Sequence, residues 1–263
     1  MEGGRRFGRL ESDSWADIGK VRGARVLVAG VGALGNETVK DLALLSFRHI
    51  VVADPGVVSE PDLGRCLFFR ERDVGRKKAE VVAARVKEMC PAAAFTPDTD
   101  TIQKAEGWNY DVVLGSMGSV HGRIYANSRS KMFRVPYVDA VVDGFRGRLQ
   151  VVLPDGPCLE CGMSRSKESP PAPDARKPAD ATTVAVLAGM QAREALKIAC
   201  RRSDLCVKGV IYYDGISGRV EVLGMGIDRA CPNHVPLKHS RRWRRRSAPC
   251  PGQRYSWPNL PRA

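Results

Sequence analysis

Two short pairs of metal-ligating residues stand far apart in the chain, Cys158-Leu159-Glu160-Cys161 and Cys231-Pro232-Asn233-His234. Each pair brackets a two-residue turn, so both of its ligands can bite one tetrahedral ion. Four such ligands fill the shell and leave no position for water, which predicts a structural Zn²⁺ rather than a catalytic one. A second chemical signal is the run Gly30-Val31-Gly32-Ala33-Leu34-Gly35. Gly30 permits a tight turn, Gly32 lets a phosphate approach the backbone, and Gly35 lets the following helix pack closely, so that phosphate sits at a helix N-terminus. Asp54 closes the next strand, where its carboxylate is placed to accept ribose hydroxyls. These residues specify an adenine nucleotide and leave NAD and ATP both open.

The stretch after Asp54 separates the two. It reads Asp62-Leu63-Gly64-Arg65-Cys66, then Phe68-Phe69-Arg70, then Asp73-Val74-Gly75-Arg76-Lys77-Lys78. This resembles the ThiF/MoeB family, which includes the ubiquitin-activating enzymes and whose pattern is D-x(7)-N-L-x-R-Q followed by D-x-G-x-x-K. Asp54, Leu63, Arg65, Asp73, Gly75 and Lys78 keep that spacing, while Asp62 and Cys66 replace the family's Asn and Gln. The resemblance implies an ATP site built from Gly30, Gly32, Gly35, Asp54, Asp62, Arg65 and Lys78. Arg65 and Lys78 would neutralise the leaving pyrophosphate, a task suited to fixed cations. Arg6-Phe7-Gly8-Arg9-Leu10 is similar to the family's R-Y-x-R-Q opening. By that likeness Arg9 reaches the nucleotide of a neighbouring subunit, which implies a homodimer or a paralogous heterodimer. The implied reaction is ATP- and Mg²⁺-dependent adenylation of the C-terminal glycine of a small ubiquitin-like or sulfur-carrier β-grasp protein. A relative would carry CxxC at both metal positions, so His234 stands in for a cysteine.

The sequence departs from the family at two further places. Where the resemblance calls for D-N-x-x-x-R with a Mg²⁺-binding acid, the chain has Gly118-Ser119-Val120-His121-Gly122-Arg123. Arg123 is retained and the acid is gone; Asp139 and Asp143 are the candidates to replace it. That loss supports an alternative, a catalytically impaired nucleotide- or partner-binding subunit of the same fold. Residues 162–183 hold no cysteine to carry a thioester. An NAD-dependent oxidoreductase, the third reading, leaves the Cys and His pairs and Lys78 unexplained. His121 and His239 are single histidines with no evident partner, and Cys66, Cys90, Cys200, Cys206 and Cys250 read as thiols rather than ligands.

Elements must hold these residues in place. The β-branched runs 25–29 and 49–53 flank a helical pattern over 36–46, giving a βαβ unit with the glycine turn at its first exit. A helix over 73–90, an edge strand from Phe95, a buried strand over 111–114 and a helix over 120–133 continue the pattern. Alternation over 147–153 and a hairpin over 210–213 and 219–223 add antiparallel strands. Proline-rich residues 167–180 read as an exposed connection before a long helix over 181–199. The predicted fold is an α/β, Rossmann-like doubly wound mixed sheet carrying a structural zinc site. It divides into an adenylation domain over 1–237 and a basic tail over 238–263.

At 263 residues the chain can bury a large core. Its net charge of +13 is concentrated in the tail, which has eight Lys or Arg and no acid. A dedicated nucleic-acid site is therefore not expected. Eight cysteines without a secretory leader, and no apolar stretch long enough to span a bilayer, point to a cytoplasmic protein without a membrane partner.

Overall fold

The computed structural model describes Phe7 and residues 15–104, 108–163 and 179–234. Arg9, Cys250, His239, the tail and most of the expected 167–180 connection lie outside them. One eight-stranded sheet organises the described residues, in the order β3-β2-β1-β4-β5-β6-β7-β8. Strands β1 (Arg25–Ala29), β2 (His49–Ala53), β3 (Ala94–Asp98), β4 (Val112–Gly115) and β5 (Tyr137–Asp143) run parallel. Beyond them β6 (Arg146–Val152), β7 (Val210–Asp214) and β8 (Arg219–Leu223) continue antiparallel. The sheet is mixed, as its sequence pattern predicts, and β3 forms one edge.

Two hydrophobic layers cover the sheet. On one side α1 (Ile18–Gly23), α2 (Ala33–Leu44), α4 (Lys78–Met89) and α7 (Ala181–Ala199) pack with the inward residues of β1, β4 and β6. α7 begins where the Asp180 carboxylate accepts the Thr183 N–H at 2.7 Å, and it buries Val184, Leu187, Ala188, Ala195, Leu196 and Ile198. On the other side α5 (Val120–Phe133) and α6 (Leu159–Met163) pack with Leu27, Val113, Tyr137 and the cysteines of the two ligand pairs. Among the described residues, no helix is long and apolar enough to cross a membrane.

The expected helix over 73–90 needs correction. α4 starts at Lys78, after a one-turn helix at Glu71–Asp73. Gly75 takes φ +86°, a left-handed conformation that no helix continues through. Asp73 is buried, and it accepts from Arg70 N–H at 3.1 Å and Arg76 at 2.8 Å. The loop it closes pairs with the Val58 segment through Gly75 N–H to Val58 O (2.9 Å) and Val58 N–H to Arg76 O (2.9 Å). That delay puts Lys78 at the first position of α4, facing the loop after β2.

Candidate functional site

The glycine turn lies between the end of β1 and α2, at the carboxyl edge of the parallel strands, where doubly wound sheets bind ligands. Gly30 holds φ +89°, and a Cβ there would meet the Ser116 carbonyl oxygen at 2.8 Å. A Cβ on Gly35 would lie 2.0 Å from the Gly30 oxygen, so side chains are excluded from both ends of the turn. Gly32 caps α2 with open space around it. Asp54 ties this turn to the exit of β2: one carboxylate oxygen accepts Val31 N–H and the other accepts Gly56 N–H, both at 2.8 Å. Asn36, fully buried, is a second tie. Its amide donates to Val31 O (2.7 Å) and its oxygen accepts Phe68 N–H (3.0 Å), which joins the turn to the loop carrying Arg65.

The charged residues gather on that loop. Asp62 sits in α3 (Glu60–Leu63), is 1% exposed, and forms a capping box with Ser59. One of its oxygens accepts from Ser59 N–H (3.0 Å) and Ser59 Oγ (2.8 Å) and faces Lys78 Nζ at 2.9 Å. The other faces Arg65 at 3.4 Å. Burial would raise this carboxyl, but the hydrogen bonds and charge from Lys78 and Ser59 outweigh it and hold Asp62 below the usual carboxylate range. The Lys78 stem lies beside Gly56, as does the Asp54 carboxylate, so Asp54 and Lys78 share one neighbourhood. Arg65 keeps a buried Nε with no hydrogen-bond partner. Cys66 lies among all four charged groups; burial first, then Asp62, pushes its thiol up to about 12, which leaves it unreactive at neutral pH.

Behind the turn, Gly118 has open space where a side chain would be. Arg123 and Asp139, both 1% exposed, form a two-pronged ion pair, with Nε to Oδ1 at 2.8 Å and a second bond from NH2 to Oδ2. Tyr137 Oη donates to the same carboxylate at 2.9 Å. Asp139 is thereby corrected as a replacement metal ligand, because its oxygens are committed inside the core. Asp143, the second candidate, ends β5 four residues further on.

The second constellation closes between α5, α6 and the turn Pro232–His234. One atom each from Cys158, Cys161, Cys231 and His234 lies within 4.8 Å of all the others. The Cys158 sulfur is 3.8 Å from that of Cys161 and 3.5 Å from that of Cys231. A tetrahedral ion with Zn–S bonds of about 2.3 Å spaces its sulfurs roughly 3.8 Å apart. His234 Nε2 is buried without a hydrogen-bond partner, as a nitrogen reserved for a metal would be. The Cys231 hydrogen bond holds the Cys158 thiol below its ordinary range against burial, with Asn127 and Asn233 assisting. Lys131 braces the preceding loop by donating to the carbonyls of Leu153 (3.4 Å) and Gly156 (3.0 Å).

Comparison with known proteins agrees with this geometry. The sequence profile of the ThiF family matches residues 10–233. The chain belongs to the ThiF family. It is 28% identical over 222 residues to a SAMP-activating enzyme E1 of Haloferax volcanii, covering 81% of each protein. It is 35% identical over 154 residues to the NEDD8-activating enzyme E1 catalytic subunit of Arabidopsis thaliana, covering 52% of this chain and 34% of that one. The fold is also that of E. coli MccB determined with ATP, at a TM-score of 0.74 and 19% identity, over 87% of this chain and 74% of MccB.

Within the ThiF frame, the resemblance singled out Asp54, Asp62, Arg65 and Lys78, which the fold gathers on one loop system. It missed Ser59, Asn36 and Gln191. Gln191 is fully buried in α7, donates to Gly115 O (3.0 Å) and Val138 O (2.9 Å), and accepts from Thr38 Oγ1 (2.9 Å) and Ser116 Oγ (3.1 Å). The available signal was a polar residue on the apolar side of a helical pattern, at 36 and again at 191.

Proposed function

We propose that the chain binds ATP at the 30–35 turn and adenylates the C-terminal glycine of a small ubiquitin-like or sulfur-carrier protein. The observation that carries this reading is the gathering of Asp54, Arg65 and Lys78 around the loops at the mouth of the glycine turn, with Arg65 retaining an unused buried donor. The relative that matches along most of its length is named as the activating enzyme of SAMP, which supports a protein substrate. The impaired-subunit alternative rests on the acid missing at Gly118, which Asp139, paired with Arg123, does not replace.

In this mechanism the turn and the N-terminus of α2 receive phosphate, and Asp54 orients the ribose while pinning Val31 and Gly56. The carboxylate of the carrier's terminal glycine attacks the α-phosphorus. The α–β bridging bond breaks, pyrophosphate leaves, and an acyl-adenylate remains. Arg65 and Lys78 offset the charge that grows on the departing pyrophosphate, and no covalent enzyme intermediate is needed. Gly118 offers no carboxylate and Asp139 is occupied by Arg123, so neither holds a Mg²⁺ at the family position. Magnesium would enter with ATP as its counter-ion, and Asp143 is the remaining candidate for a protein ligand. Arg9 in trans, and with it a homodimer or paralogous heterodimer, belongs to the same proposal.

Cys158, Cys161, Cys231 and His234 fit a structural Zn²⁺. When bound it would supply a cross-link between α6 and the turn that follows β8, not a reactive water. The 238–263 segment is proposed as a basic tail outside the adenylation domain. The deciding experiment is ATP–pyrophosphate exchange with candidate carriers ending in Gly-Gly. Exchange that depends on the carrier supports adenylation, whereas ATP binding without exchange for any carrier would return the chain to a scaffold role.

A further inference from the structure

Asp62 stands where the family pattern has Asn, and the exchange of a neutral amide for a buried carboxylate has an electrostatic consequence. The two cations assigned to the phosphates, Lys78 and Arg65, both face this one anion, at 2.9 and 3.4 Å. Lys78 is only 16% exposed at its side chain and Asp62 is 2% exposed, so water screens the pair weakly. Ser59 holds the same oxygen with its N–H and its hydroxyl, so Asp62 keeps two ties when Lys78 moves. The oxygen facing Lys78 already takes three donors and has no lone pair left to ligate a metal. Compensation for the acid missing at Gly118 is therefore excluded at that oxygen.

We propose that Asp62 is a positioning residue that acts as a built-in competitor for the nucleotide's outer phosphates. It holds Lys78 and Arg65 in a half-neutralised arrangement, which weakens the grip on triphosphate and speeds the departure of pyrophosphate. The proposal rests on the adenylation reading and deepens it. With Asp62 ionised the three side chains sum to one positive charge; with Asn there they sum to two. An anion approaching the pair must share Lys78 with a carboxylate that cannot leave. A ligand lacking the β- and γ-phosphates never enters that competition.

The test is the Asp62→Asn substitution in the full chain, with ATP and AMP affinities measured by calorimetry at two salt concentrations. Asparagine keeps an oxygen for Ser59 N–H, and a thermal melt checks that the variant is folded. The expected result is ATP binding tightened about tenfold or more, AMP binding changed less than twofold, and an ATP affinity that falls more steeply with salt than in the wild type. A purely structural role for Asp62 would instead weaken both ligands together. Unchanged or weakened ATP affinity in the folded variant overturns the proposal. Asp62→Ser removes the same charge and serves if Asp62→Asn does not fold. Absence of ATP binding by the wild type sinks the adenylation reading as well, whereas wild-type binding without tightening in the variant sinks only the role given to Asp62.

Discussion

A carboxylate can be read as a metal ligand, a base or a strut, and its partners decide which. Asp139 is a strut: Arg123 and Tyr137 take its oxygens inside the core. Burial opposes its charge, but Arg123 outweighs that and keeps the group below the ordinary carboxylate value. A lowered native pKa stabilises the fold above the unfolded value and loses that contribution as pH falls through the native one. The melting temperature should therefore drop on acidification below about pH 4, the unfolded aspartate value. Asp139→Asn should cost about 3–5 kcal/mol at neutral pH, because buried Arg123 loses its two-pronged carboxylate partner, and should flatten that acid limb. Chemical denaturation at pH 7 and at a series of pH values below 4 measures both effects. Lys78 is the opposite case, a group assigned to chemistry. Lys78→Met should lower carrier-dependent pyrophosphate exchange by about 10²–10³-fold; Arg65 continues to face Asp62, but the buried carboxylate loses its nearer cation and the melting temperature should fall as well. A loss of exchange below tenfold would remove Lys78 from the role given to it.

Among the elements, the glycine turn is the least forgiving. Gly35→Ala puts a Cβ 2.0 Å from a backbone oxygen of the same turn, and no side chain can swing away to relieve it. We expect a loss of about 1–3 kcal/mol of stability, together with loss of ATP binding, read by melting and calorimetry on one sample. The strands were legible because β-branched runs such as Arg25–Ala29 and His49–Ala53 admit few other readings, and α7 because its apolar stripe is long. The start of α4 was not, since periodicity carries no information about φ at Gly75 or about the donors gathered on Asp73. The same limit applies to the site. Residue spacing named Arg65 and Lys78 through resemblance, but the Asp62 carboxylate lying between them is a fact of three dimensions. Asn36 and Gln191 escaped because a polar residue inside an apolar stripe looks like noise until its partners are seen.

For the molecule as a whole, the sheet keeps two tasks apart. The glycine turn opens at the carboxyl edge of the parallel strands, while the four-ligand cluster lies in the layer formed by α5 and α6 and is proposed to hold a structural ion. Purified protein should hold about one zinc per chain by elemental analysis. Chelation, or Cys231→Ser, should lower the melting temperature by on the order of 5–10 °C without preventing nucleotide binding by protein still folded. Asp54 links regions in another way, since one side chain receives amides from two connections that are distant in sequence. Both latches end on the one Asp54 carboxylate, so displacement of that side chain releases the two connections together. In deuterated buffer the amide protons of Val31 and Gly56 should therefore be replaced in step, at a rate set by a shared opening event, and Asp54→Ala should release each to its own clock.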